Sequence, residues 1–136
     1  MFTLLNGKIV CGSNYESAAW AVYFLAKGGE GICEAIVRKV FTARMAEGIL
    51  DVDVDEIDRK NILDNMLMTA VSNHSHILTE TLMSEAVKNE VEFWLNQEDC
   101  FHIVEEEYDS IAMISGYFSM ENPVNAIRVA LRLVNK

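Results

Sequence analysis

The chain has 136 residues, 51% of them hydrophobic and 9% aromatic, with a formal charge of −10 at pH 7. That length predicts one globular domain spanning residues 1–136, with enough apolar content for a real core, and the composition excludes a disordered acidic tail. Residues 51–109 carry 16 of the 21 carboxylates against three bases (Arg59, Lys60, Lys88), a local balance of −13, while residues 1–50 sum to +1 and residues 110–136 to +2. Such a field repels nucleic acid and anionic membranes and attracts basic partners.

Asn6-Gly7 between two short apolar runs is a hairpin signal, because both residues accept the positive φ of a type I′ turn. Pairing across it puts Phe2, Leu4, Ile9 and Cys11 on one face, which should cover the core. Ser13 followed by Glu16 forms a capping box, so a helix begins near Asn14. Residues 18–26 are apolar all round, which requires a central helix or one that shares a face with a partner. Lys27-Gly28-Gly29 ends it. A second helix is predicted over 30–47, with Ile32, Ala35, Ile36, Val40 and Ala43 inside.

The third helix starts at Asp53 as N-cap, with Glu56 at the third position and Val52 stapled to Ile57, and runs to about 72. The fourth runs from a Ser75 cap to about 96, burying Leu78, Leu82, Ala86, Val87, Val91 and Trp94. Residues 99–105 and 110–118 read as two strands joined by an acidic turn at 106–109. Asn122-Pro123 starts the fifth helix as cap and first residue, with Val124, Ile127, Leu131 and Val134 inside and Arg128, Arg132 and Lys136 outside. The predicted fold class is α+β, helix-dominated: about five helices, an N-terminal β-hairpin and a second hairpin near 99–118.

Chemical motifs are scarce. Asp51, Asp53 and Asp55 resemble the start of a calcium loop, but Glu56 replaces its glycine, Asp58 its apolar residue and Ile62 its final glutamate. Helix capping accounts for the same acids. His74, His76, Cys100 and His102 offer nitrogen and sulfur ligands without zinc-site spacing, and Cys100 and His102, two residues apart on the predicted strand, stand too far apart for a direct hydrogen bond as nucleophile and base. The glycines at 28, 29 and 31 lack the Lys-Ser/Thr of a phosphate loop. Three cysteines at wide spacing are no disulfide framework, and Cys11 needs only a place in the core. The prediction is therefore no metal, no cofactor and no catalytic residue, with a metal-binding protein or metal-dependent enzyme built from the His/Cys/acid cluster as the alternative, and a small assembly subunit as a further one. No secretory signal or span of about 20 apolar residues is visible, so a soluble cytoplasmic protein is expected.

The acids themselves are the functional pointer. Glu80, Glu85, Glu92, Glu98, Asp99, Glu105, Glu106, Glu107 and Asp109 form the predicted partner-binding set. Carboxylates three or four apart on a helix lie about 5–6 Å from each other, comparable to phosphate spacing along a nucleic-acid strand. The expected partner is a basic, nucleic-acid-binding protein, with no direct nucleic acid and no membrane; plain solubility explains the same acids more simply. The apolar helix at 18–26 adds the expectation of a homodimer. Short, acidic, compact and motif-poor, the chain resembles in kind the small inhibitors that phages and mobile elements aim at host nucleases and CRISPR effectors, a likeness of composition that assigns no residues.

Overall fold

The structure, a computed structural model, describes residues 3–27, 80, 82–97, 107–120 and 122–134. These form strands β1 (Thr3–Leu5) and β2 (Lys8–Val10) and helices α1 (Asn14–Lys27), α2 (Glu85–Leu95), α3 (Tyr108–Ser119) and α4 (Pro123–Val134). The predicted helices over 30–47 and 53–72, the Ser75 cap and the strand over 99–105 lie outside the described residues.

The hairpin forms as its turn requires. Asn6 and Gly7 have φ of 54° and 78°, and Thr3, Leu4 and Leu5 pair antiparallel with Val10, Ile9 and Lys8. Ile9 and Cys11 are buried, whereas Leu5 is exposed. Alternate residues of such a ribbon point their backbone groups away from the partner strand. At Ile9 these groups meet Asn96, just past α2. The Asn96 amide oxygen accepts from the Ile9 N–H, and Nδ2 donates to the Ile9 carbonyl at 2.7 Å. One side chain thus stands where a third strand would pair.

Helix α1 is central. Ser13 caps it, its Oγ accepting from the Glu16 N–H at 3.3 Å. The Glu16 carboxylate reaches back to the Gly12 N–H, one residue before the cap. Residues 17–24 are all buried, because α2, α3 and α4 each pack against this helix. Trp20 and Phe24, one turn apart, stack at 4.9 Å. An all-round apolar helix is thereby satisfied inside its own chain, which leaves residues 17–24 no open apolar face for a dimer.

The second predicted hairpin is corrected in part. Residues 110–118 lie in α3, not in a strand, and the expected turn over 106–109 gives way to a helix that begins at Tyr108. The buried residues Ile111, Ile114 and Phe118 recur at three and four, the helical period; a strand with Ile114 and Phe118 inward would also have buried Ala112 and Gly116 and turned Ile111 outward. The β-branched and aromatic content of this stretch favoured a strand locally, and packing against α1 and α4 overrides it.

The fourth predicted helix is also broken. A turn at 83–84 interrupts it, and Ser84 caps α2 afresh, its Oγ accepting from the Val87 N–H at 3.3 Å. Val87, Val91 and Leu95 form the inner stripe, while Ala86, expected inside, is exposed. In α4 the Asn122 side chain accepts from the Asn125 N–H at 3.4 Å, as a cap should. Its deepest residues are Ala126, Ile127, Val129 and Ala130, with Val124, Leu131 and Val134 only partly buried. The buried stripe is rotated from the predicted one toward Ala126, Val129 and Ala130. Among the described residues no helix is long and apolar enough to cross a membrane.

Candidate partner-binding face

Five of the nine predicted carboxylates are described, and they meet different fates. Glu80 and Glu85 are exposed. Glu85 occupies the first turn of α2, where a carboxylate also favours the positive end of the helix dipole. Asp109 is exposed in the first turn of α3. Glu107 is only partly exposed, because its carboxylate accepts the hydroxyl of buried Tyr23. Burial, with that carboxylate next, pushes the Tyr23 hydroxyl's pKa up.

Glu92 is partly buried, and its Oε1 is enclosed without a hydrogen-bond partner among the described residues. It acts on Cys11: desolvation chiefly raises that thiol from 9.0 to about 11, Glu92 adds to the rise, and Ser17 and Lys88 oppose it. Glu85 and Glu92 both lie on α2, which ends at Leu95, before Glu98 and Asp99. Glu98, Asp99, Glu105 and Glu106 lie outside the described residues, as do His74, His76, Cys100 and His102. Among the described residues no group of three or more His, Cys, Asp or Glu gathers in a metal-holding arrangement.

Two features escaped the sequence reading. Met113 and Met120 are 52% and 66% exposed, whereas Met83 packs partly buried against the core. A groove of about 330 Å³ runs along α3, lined by Tyr108, Ile111, Ala112, Ser115, Gly116 and Ser119, with Glu16 of α1. A Cβ built on Gly116 would meet nothing within 4 Å. The missed signal was the helical period of 111–118, which puts Ala112, Met113 and Gly116 on one outward side.

No protein family matches this chain, and neither a curated protein nor a solved structure matches it.

Proposed function

We propose that the chain is a non-catalytic acidic inhibitor or adaptor that presents carboxylates to the Lys/Arg-rich, nucleic-acid-binding site of a partner protein. The observation that carries the reading is the charge of −13 concentrated in residues 51–109. The exposure of Glu80, Glu85 and Asp109 is consistent with it. Complementary fields of this kind speed encounter and make binding salt-sensitive. Glu107 belongs to the supporting structure, because its carboxylate is engaged by Tyr23.

The test is capture of partners on the immobilised chain from a lysate of its source or of that source's host. Glu80→Lys/Glu85→Lys/Asp109→Lys is run in parallel, with elution by rising salt. A nucleic-acid-binding protein that elutes at moderate salt, competes with nucleic acid and binds the triple variant at least about tenfold more weakly supports the reading. Equal binding by the variant removes it.

A further inference from the structure

We infer that the groove between α1 and α3 binds a short alkylammonium group, its cation at the Glu16 carboxylate and its carbon stem along Ile111, Ala112 and Gly116. The site goes beyond the proposed acidic surface, since Glu16 lies outside residues 51–109 and is itself buried.

Helix α3 supplies most of the lining, from residues that recur at three and four and so form one stripe. The stripe is concave because Ala112 and Gly116, one turn apart, carry little or no side chain. A Cβ on Gly116 would meet nothing within 4 Å. Helix α1 packs against α3 and adds Glu16 to the lining. The groove is graded in depth. Ile111 is fully buried and Glu16 is 6% exposed, whereas Ala112 and Ser119 are exposed at the mouth. Its volume, about 330 Å³, suits a small molecule or a single side chain.

The polar atoms choose the occupant. Among the described residues, the one charged group of the lining is the Glu16 carboxylate, which draws in a cation and repels an anion. Burial strengthens that attraction, because charges are less screened away from water. One Glu16 oxygen accepts from the Gly12 N–H. A carboxylate has about four lone-pair sites, so this capping bond and a ligand bond are compatible. An ammonium brings several N–H donors, and the hydroxyl oxygens of Tyr108, Ser115 and Ser119 belong to the same lining as further acceptors. One carboxylate with hydroxyls is a thin donor set for a metal ion. Ile111, Ala112 and Gly116 offer a hydrocarbon stem a wall that a bare ion does not use.

The test is a titration of the full chain with butylammonium and with 1-butanol, a neutral molecule of the same stem, followed by NMR at the Ser115 and Gly116 amides. Wild type, Glu16→Gln and Gly116→Leu are compared at one salt concentration. The expected result is that the wild type binds butylammonium at least about tenfold more tightly than 1-butanol, as a hydrogen bond to a charged group provides. Glu16→Gln keeps an acceptor for the Gly12 N–H, as a capping box permits, and should erase that preference. Gly116→Leu keeps the charge and fills the groove, and should weaken butylammonium by a similar factor. Circular dichroism checks that each variant is folded. Equal affinity of the wild type for the two molecules overturns the inference, as does an unchanged butylammonium affinity in either folded variant. The same ammonium can arrive free or on a lysine of another protein, and Nα-acetyl-lysine methylamide separates the sources. Its binding at the same amides upholds the site as one for a chain-borne lysine; its exclusion, with butylammonium bound, upholds the site as one for a free amine.

Discussion

Asn96 shows how one side chain can hold two elements together. Its amide both accepts from and donates to Ile9, and Nδ2 also donates to the Glu92 carbonyl at 2.7 Å. Asn96→Ala leaves both outward groups of Ile9 without that partner. We expect a loss of about 1–3 kcal/mol in chemical denaturation, together with faster hydrogen exchange at the Ile9 amide. Cys11 makes a second prediction, in alkaline solution. Its thiol ionises at about 11 in the fold against 9.0 as the unperturbed value. The folded state therefore keeps a proton that the unfolded chain gives up. The stability from Cys11 is complete below pH 9 and falls between pH 9 and 11, by about 2–3 kcal/mol at most. Tyr23 acts in the same direction above pH 10. Urea titrations from pH 8 to 11 should show a shallower decline for Cys11→Ala than for the wild type; parallel declines would deny Cys11 this role.

At the scale of elements, helix boundaries were readable where a capping side chain announced them. Ser13 and Asn122 did so, and α1 and α4 begin where those residues predict. Ser84 did not, because it lacks an acidic or amide residue three positions on and sits within a pattern that reads as continuous helix. Ser84→Ala should cost about 1 kcal/mol by leaving the Val87 N–H uncapped. In α3, Gly116 is in a helix interior with no steric need for glycine, since a Cβ there meets nothing. Gly116→Ala should therefore stabilise the protein by about 0.5–1 kcal/mol, read as a rise of a few degrees in Tm. No change, or a fall, would mean that the glycine is required by something that approaches this backbone closely.

For the molecule as a whole, the charge of −10 is a cost as well as a tool. Like charges on one compact body repel each other, and the repulsion is felt over about 30 Å at 0.01 M salt but only about 8 Å at 0.15 M. Stability should rise over that range, with Tm increasing as salt is added at pH 7. Binding to a basic partner should move the opposite way, weakening with salt, because there the screened interaction is attractive. The pair of opposite slopes, measured by thermal melts and by titration, separates a functional acidic face from acid that serves solubility alone. In the latter case only the stability slope survives.

The sequence by itself determined the hairpin and its register, the start of α1, the start of α4, and the one-sided distribution of acid. Each of these is local: a turn needs residues that tolerate positive φ, a helix end needs a cap, and charge is a sum over residues. Tertiary structure alone decided that 108–119 is helical, because the contacts that bury Ile111, Ile114 and Phe118 come from other elements. It also decided that Glu92 turns inward and Glu107 is held by Tyr23, while Glu85 and Asp109 face solvent. A run of carboxylates has no periodic signature of its own. Which of them remain available to a partner depends on what packs beside them, and Tyr23, the group that engages Glu107, lies 84 residues away along the chain.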